Sequence, residues 1–447
     1  MDVGQSQGIL PPSWLDPITS ALETVRSQLL EDRSGEVASY IPELSRADPE
    51  PFGLALASLG GNLYRAGEAD HAFSIQSMSK PFVLALAVAD RGWDGVRAKV
   101  GVEPSGEAFD ATTLEPGTGR PPNPLVNAGA IVTTSLVEAS STTERIERVL
   151  EVLSAFAGRR LEVDHEVLAS ELEHAERNRA LGWLLKGAGV LEAEVEDALL
   201  AYITQCATLV TAADVAIMAA TLANGGTNPV TGVEVVDRTC AARVLAVMTT
   251  CGMYDASGAW MLEVGLPAKS GVAGGIVVVS PGQFGLGLFS PRLDPAGNSV
   301  RAKRAAKGIA ERFGLHLLLA PVSGSRSLHR TGWATSVPGV TLDPELGGVV
   351  AVRSLRGDVE FVEAEPLLSE LSDRVLTLGA KALVLDLVEV TSVHPVAAQM
   401  LALTLAHLAD EGVVVVLVDP ERHLAMEQLP CSDTVLGGID LAAAALS

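Results

Sequence analysis

The chain has 447 residues, 48% of them hydrophobic, so we expect two or three domains with substantial cores and exclude global disorder. Its formal net charge of −23 repels phosphate backbones and anionic lipid, which argues against nucleic-acid and membrane partners. The segment 335–447 carries 17 acidic and 5 basic residues, a net charge of −12, which predicts a separate acidic module.

Apolar periodicity predicts the elements of the first 319 residues in chain order. A helix is expected over 14–33 and a hairpin over 53–75, followed by a helical block from 82 to about 250. Helices of this block are predicted over Glu144–Ala157, Arg177–Lys186, Leu191–Cys206 and Ala212–Ala223. Strands return over 272–290, and a basic helix follows over 299–313. This order predicts an antiparallel sheet with an inserted helical domain.

The composition changes after residue 319. Residues 320–344 are predicted to be a linker because Pro, Ser, Gly and Arg recur at 320–340 without periodicity. Over 345–447, strand patterns alternate with helical ones, which predicts a small α/β domain. The strands are expected at Gly348–Leu355, Ala382–Leu387 and Val413–Val418, and the helices at Glu363–Leu378 and Val396–Ala409.

The cysteines and the N-terminal segment indicate a reducing compartment. Cys206, Cys240, Cys251 and Cys431 form no C-x-x-C pair, so neither a zinc site nor a disulfide framework is expected. The N-terminal segment lacks a basic region followed by an apolar stretch, so no signal peptide is expected and a cytoplasmic location is predicted. The apolar run 274–280 is too short to span a bilayer and predicts a buried strand.

Two short motifs point to serine hydrolase chemistry. Ser77 precedes Lys80 by three residues, and Lys269 opens a Lys-Ser-Gly triplet, an arrangement that no other lysine of the chain repeats. A serine hydroxyl is a weak nucleophile until a base takes its proton, and residues three apart on a helix share a face. Lysine can be that base if burial or nearby positive charge populates its neutral form.

The sequence after this first motif favours a helix. The apolar run that follows Lys80 places Ser77 near a helix start, where the helix dipole favours an oxyanion. Pro81 fits a first helical turn but biases Lys80 away from helical angles. The alternative is that Ser77 or Ser79 only caps the helix.

Six segments, taken in order, resemble the serine-dependent glutaminase family. They are FSIQSMSKPF at 73–82, NPLVNAGAI at 123–131, SELEHAERN at 170–178, ATLANGG at 220–226, CGMYDASG at 251–258 and GLPAKSGVAGGI at 265–276. The resemblance covers about residues 20–315. It implies an α+β serine β-lactamase-like fold, hydrolysis of L-glutamine to L-glutamate and ammonia, no metal or organic cofactor, and a homo-oligomer.

The resemblance also assigns catalytic roles. Ser77 corresponds to the family nucleophile, Lys80 to its base and Tyr254 to a tyrosine beside the nucleophile. The backbone N–H groups of Ser77 and Val272 correspond to the oxyanion donors, and the glycines around Val272 suit a close backbone approach. Lys269 could add positive potential, or it could be a surface charge.

Further residues correspond to family groups that hold the amino-acid end of the substrate. Asn127 and Asn178 are assigned to the α-carboxylate and Glu171 to the α-ammonium, while Tyr40 and Tyr202 also fall on site positions. Because Glu171 and Asn178 are seven residues apart, one face of a helix could present both. Gln76 could line the pocket, or it could serve only capping or packing.

The C-terminal module resembles a STAS domain, through the strand Ala382–Leu387, Val390 and the helix from about Val396. This resemblance implies a contact with a protein partner, although the module could also be a passive appendage. Family members that are switched by phosphorylation carry an Asp-Ser-Ser-Gly-like turn, whereas this chain has Val393-His394-Pro395 next to Ser392.

Two other functions stay open at this stage. The absence of a Ser-Asp-Asn triplet makes a penicillin-directed peptidase or esterase less favoured than a glutaminase. A scaffold that only senses glutamine would not need the nucleophile and base at Ser77 and Lys80.

Overall fold

The computed structural model describes most of the chain, in two compact units. The described residues are 17–39, 41–105, 113–318, 328–334, 350–359, 364–365, 367–368, 371 and 382–424, with the backbone alone for 328–334 and 395–396. One unit comprises Leu22–Glu311 and Leu315–Leu318, and the other contains the described residues from 328 onward. The predicted site residue Tyr40 and most of the predicted helix Glu363–Leu378 lie outside the described residues.

The first unit is mainly helical, and the ends of its first and last helices, residues 17–21 and 312–313, are assigned to the other unit. The helices are α1 Pro17–Leu29, α2 Pro42–Ser45, α3 Lys80–Arg97, α4 Asn127–Ser135, α5 Thr142–Ala157, α6 His165–Glu173, α7 Glu176–Gly187, α8 Val195–Cys206, α9 Ala212–Ala223, α10 Arg238–Cys251, α11 Ser257–Glu263 and α12 Val300–Phe313. Short 3-10 turns span Gln76–Ser79 and Tyr254–Ala256. The helices predicted from periodicity are confirmed with shifted ends, and the one at Ala212–Ala223 matches α9 at both ends.

The strands of the first unit form one five-stranded sheet and a two-stranded pair. They are β1 Gly53–Ser58, β2 Leu63–Gly67, β3 Phe73–Ser74, β4 Leu209–Val210, β5 Ala268–Ser270, β6 Gly275–Ser280 and β7 Phe284–Phe289. The larger sheet has the order β2-β1-β7-β6-β5, and the pairs β1–β2, β1–β7, β6–β7 and β5–β6 are antiparallel. The predicted antiparallel sheet with helices inserted between its strands is therefore confirmed.

Helix α9 forms the centre of the core of the first unit. Its sequence is apolar on nearly every side, which is typical of a helix that is buried all round, and its side chains are buried except for the partly buried Ile217. Thr211 and Asp214 form a capping box at its start, and Asp214 also accepts two 2.6 Å hydrogen bonds from Arg159. The helix packs against β7, β1 and β6 and thereby holds the sheet that carries β5.

The second unit is an α/β arrangement. Its strands are β8 Leu328–Ala334, β9 Val350–Val359, β10 Ala382–Val393 and β11 Val414–Val418, and its helix is α13 Pro395–Asp410. The sheet order is β11-β10-β9-β8, with β10 parallel to both β9 and β11. Strand β8 pairs antiparallel with β9, so the prediction of a linker over 320–344 is wrong for these residues. Pro and Gly around a segment do not prevent it from pairing at a sheet edge.

Candidate active site

Ser77 lies in the 3-10 turn Gln76–Ser79, immediately before α3. The backbone N–H of Lys80 donates to the carbonyl of Ser77, and Lys80 has helical angles, φ −57° and ψ −45°. Residues three apart eclipse each other on a 3-10 turn, so Ser77 and Lys80 project from the same side. The expected bias of Lys80 away from helical angles is wrong, since Lys80 is helical. Pro81 stands in the first helical turn, as expected, where its missing N–H costs no helical hydrogen bond.

The Lys80 amine is fully enclosed. Only 1% of the residue is exposed, and Nζ donates to the Leu125 carbonyl at 3.2 Å and to Asn127 Oδ1 at 2.7 Å. The hydrogen bonds of the described residues do not include one between Nζ and the Ser77 hydroxyl. Burial lowers the pKa of Lys80 to about 8, with the nearby Cys206 acting in the opposite direction. About a tenth of the amine is then neutral at pH 7, as a general base requires.

A second lysine, Lys269 on β5, is also buried. It is 0% exposed, so the alternative that it is a surface charge is wrong. Its Nζ donates to the Ser270 carbonyl at 2.7 Å and lies 3.9 Å from the centre of the Tyr254 ring. Burial, together with the charge of Lys80, lowers the pKa of Lys269 well below its usual value. Two amines with lowered pKa values therefore belong to one site.

Two buried tyrosines flank Lys80. The ring centres of Tyr202 and Tyr254 lie 5.9 Å and 6.0 Å from Lys80 Nζ. Tyr254 has a φ of +56°, a left-handed conformation that is strained for a bulky residue. Strain of this kind persists where surrounding contacts fix the residue, and here the ring lies against Lys269.

The side chains predicted to hold the α-carboxylate meet beside Lys80. Asn127 is the first residue of α4, and its Oδ1 accepts from both Lys80 and the Tyr202 hydroxyl, the latter at 3.2 Å. Its Nδ2 donates to Asn178 Oδ1 at 3.3 Å. Tertiary contacts therefore gather Lys80, Asn127, Asn178 and Tyr202.

Glu171 and Asn178 do not share a helix face as predicted. Glu171 belongs to α6, which ends at Glu173, whereas Asn178 belongs to α7, which begins at Glu176. His174 ends α6 in a non-helical conformation, φ −103° and ψ 29°, and its ring Nδ1 lies 2.9 Å from the Ser170 carbonyl. The two residues are instead linked to the site separately, Asn178 through Asn127.

Glu171 is linked to the site through Gln76. Gln76 Nε2 donates to Glu171 Oε1 at 2.6 Å. Burial raises the pKa of Glu171 to about 7, the Gln76 hydrogen bond partly offsets this, and the charge of Glu43 adds to it. An incoming cation would stabilise the ionised form of Glu171, which burial disfavours.

The loop after β5 packs directly against the 3-10 turn Gln76–Ser79. A Cβ on Gly271 would lie 2.9 Å from the Ile75 carbonyl, and Gly274 has a φ of +102°, which favours glycine. The loop is closed by hydrogen bonds from Gly274 N to Gly271 O and from Gly271 N to Gly275 O. Val272 therefore stands at the bend of this loop, next to the turn that carries Ser77.

Sequence reasoning missed the buried residues that contact the 3-10 turn Gln76–Ser79. Gln205 and Thr134 were not singled out, yet Gln205 Nε2 donates to Ser79 Oγ at 3.2 Å and Gln205 Oε1 accepts from Thr134 at 2.9 Å. Ser79 does not cap α3, because its hydroxyl donates to the Gln76 carbonyl. The only signal was the spacing of Tyr202, Gln205 and Cys206, which puts them on one face of α8.

Two other properties concern the described residues alone. No cluster of three or more His, Cys, Asp or Glu side chains among them could hold a metal ion. None of their helices is both long and apolar enough to cross a membrane. The described cysteines Cys206, Cys240 and Cys251 are free and buried.

Comparison with known proteins identifies similar chains. Residues 35–318 match a family model described as Glutaminase. The glutaminase of Corynebacterium efficiens is 42% identical over 91% of this chain and 93% of its own length. That of Clavibacter michiganensis is 51% identical over 66% of this chain and 90% of its own length. A solved structure described as Mglu in its glutamate form is 38% identical and covers 92% of this chain and 100% of its own, with a TM-score of 0.67.

Proposed function

Since the chain belongs to the glutaminase family, we propose that it hydrolyses L-glutamine to L-glutamate and ammonia through an acyl-enzyme on Ser77. The observation that carries this mechanism is the enclosed Lys80 amine one turn from Ser77, with its pKa lowered to about 8. A serine next to an amine that can be neutral near pH 7 has the parts needed for covalent amide hydrolysis.

Acylation begins with proton transfer from Ser77 Oγ to the neutral Lys80 amine. The oxygen attacks the side-chain amide carbon of glutamine, and the backbone N–H groups of Ser77 and Val272 stabilise the resulting oxyanion. The C–N bond then breaks, and the leaving nitrogen takes a proton from the Lys80 ammonium, either directly or through the Tyr254 hydroxyl, which gives its own proton and takes that of Lys80. Lys80 is then neutral again. Ammonia departs, and the glutamyl group stays on Ser77 as an ester.

Deacylation repeats the same steps with water. Lys80 takes a proton from the water as it attacks the ester carbon, and the same two N–H groups stabilise the second oxyanion. Collapse returns the proton to Ser77 and releases L-glutamate. The solved relative in its glutamate form supports this assignment of the product.

The other side chains of the site bind the two charged groups of the amino acid. Glu171 pairs with the α-ammonium, which favours the ionised carboxylate. Asn127 and Asn178 donate amide N–H groups to the α-carboxylate, since Asn supplies two N–H donors. Tyr202 borders the same end, and Tyr40 is assigned to the site by the resemblance alone.

The direct test measures ammonia released from L-glutamine and from L-asparagine. Ser77→Ala and Lys80→Ala should each lower kcat by at least ~10³, the scale seen when a nucleophile or its base is removed. Ser27→Ala and Lys307→Ala, at accessible positions away from the site, are the matched controls. Full activity of Ser77→Ala would end the covalent mechanism, and turnover of nitrocefin without turnover of glutamine would favour a β-lactamase-like activity.

We propose that the second unit is a STAS-like domain for protein contact or assembly, and that the enzyme is a homo-oligomer. Parallel strands β9, β10 and β11, with α13 between β10 and β11, support this assignment. Ser392 donates to the Asp358 carboxylate at 2.7 Å, a position where a phosphate would meet negative charge. Light scattering of the full chain and of a chain ending at residue 320 tests whether this unit contributes to assembly. If both chains had the same number of subunits, the second unit would not contribute to assembly.

A further inference from the structure

A chain of buried hydrogen bonds runs from α8 to the peptide that precedes the nucleophile. Gln205 Nε2 donates to Ser79 Oγ at 3.2 Å, and Ser79 Oγ donates to the Gln76 carbonyl at 2.7 Å. Gln205 Oε1 accepts from Thr134 Oγ1 at 2.9 Å, and the same hydroxyl also lies 2.9 Å from the Ala130 carbonyl. Ser79, Gln205 and Thr134 are each 0% exposed, so none of them can contact a substrate.

This series of hydrogen bonds ends on the peptide unit between Gln76 and Ser77, where the backbone conformation is unusual. Gln76 has a φ of +52°, a left-handed conformation that non-glycine residues seldom adopt. A peptide unit is planar and normally trans, so its C=O and N–H point in opposite directions. Fixing the carbonyl oxygen of Gln76 therefore fixes the direction of the N–H of Ser77, which belongs to the same peptide unit.

We propose that Gln205 and Ser79 are positioning residues that orient the Ser77 backbone N–H toward the oxyanion. This inference rests on the proposed function, in which that N–H is one of the two oxyanion donors. The donors must be in place before charge develops, because stabilisation depends on a preorganised direction.

The direction of the hydrogen bonds adds a second effect. Gln205 donates to the Ser79 hydroxyl, and that hydroxyl donates to the Gln76 carbonyl, which polarises the peptide unit. Hydrogen bonds arranged head to tail in this way strengthen one another in a dry interior. The last donor in the series is the N–H of Ser77. Its hydrogen bond to an oxyanion is therefore strengthened at the moment when charge appears.

The test uses the full chain with Ser79→Ala, Gln205→Met and the double variant. Each single change should lower kcat and kcat/KM together by ~10-fold, less than the ~10²–10³ lost when an oxyanion donor is removed outright. KM and the affinity for L-glutamate should stay within about twofold of the wild-type values, because the hydrogen-bond series stabilises the transition state rather than the bound substrate. Since both changes break one series, the double variant should be scarcely slower than either single one.

Thr133→Val is the matched control. Thr133 is also buried on α4, but its hydroxyl donates to the Gly129 carbonyl and lies outside the chain of hydrogen bonds. It should keep the wild-type kcat while losing a comparable buried hydroxyl. Should Gln205→Met fail to fold, the small change Ser79→Ala decides alone.

Three results would overturn the inference: wild-type kcat in Ser79→Ala, a rise in KM without a fall in kcat, or fully additive losses in the double variant. Each is distinct from failure of the proposed function. That failure would appear as wild-type protein that releases no ammonia from glutamine, or as a Ser77→Ala variant that keeps full activity.

Discussion

Replacing Glu171 by glutamine should make the protein more stable and less active. Glutamine has nearly the same shape, and its Oε1 can still accept the hydrogen bond that Gln76 Nε2 donates at 2.6 Å. The change removes only the charge that burial disfavours. A buried carboxylate that destabilises the ligand-free protein is expected at a functional site, where activity and stability favour different residues.

The magnitude follows from the pKa of Glu171, which is raised from 4.5 to about 7, chiefly by burial. Between these values the unfolded chain is ionised while the folded protein keeps its proton. Stability therefore falls as the pH rises through this window and is level above it. At about 1.4 kcal/mol per pH unit, the loss is at most about 3 kcal/mol, and Glu171→Gln should avoid it.

Urea unfolding followed by tryptophan fluorescence measures this effect. The variant should match wild type near pH 4 and exceed it at pH 8 by up to about 3 kcal/mol. Glu173→Gln, an exposed carboxylate on the same helix, is the control and should not show this difference. With glutamine as substrate, kcat/KM of Glu171→Gln should fall by ~30-fold or more, since a buried charge pair contributes about 2 kcal/mol or more. A variant less stable than wild type at pH 8 would refute the reasoning.

Three further outcomes are expected. The value of kcat/KM should rise with pH through about 8 as Lys80 loses its proton, and a flat profile from about pH 6 to 9 would contradict its role as base. Gly271→Ala should destabilise the protein by ~1–3 kcal/mol, because the new Cβ would lie 2.9 Å from the Ile75 carbonyl. An unchanged urea unfolding curve would show that the loop moves enough to relieve this contact. A chain ending at residue 320 should keep kcat within about twofold, since the predicted site residues precede that point and the relative from Clavibacter michiganensis aligns with about two thirds of this chain. A folded but inactive truncated chain would show that the second unit completes the site.

Local pattern determined much of this protein. The apolar sequence of α9 predicted a helix with both ends correct, because helix periodicity and capping residues act within a few turns. The spacing of Ser77 and Lys80 likewise predicted that they lie one turn apart, and the Lys80 N–H donates to the Ser77 carbonyl. Order along the chain was enough to predict the antiparallel sheet and the alternating pattern of the second unit.

Burial and long-range contact were decided only by tertiary structure. No local pattern distinguishes the fully buried Lys269 from a surface lysine, because burial depends on what the rest of the chain packs against it. The break between α6 and α7, which separates Glu171 from Asn178, was hidden by a spacing that suits one continuous helix. Gln205 donates a hydrogen bond to Ser79 across 126 residues of sequence, and only the packing of α8 against the 3-10 turn Gln76–Ser79 brings them together. Side-chain chemistry and local spacing can be read from the sequence. The lowered pKa of a buried amine, in contrast, arises only once distant segments pack together and exclude water.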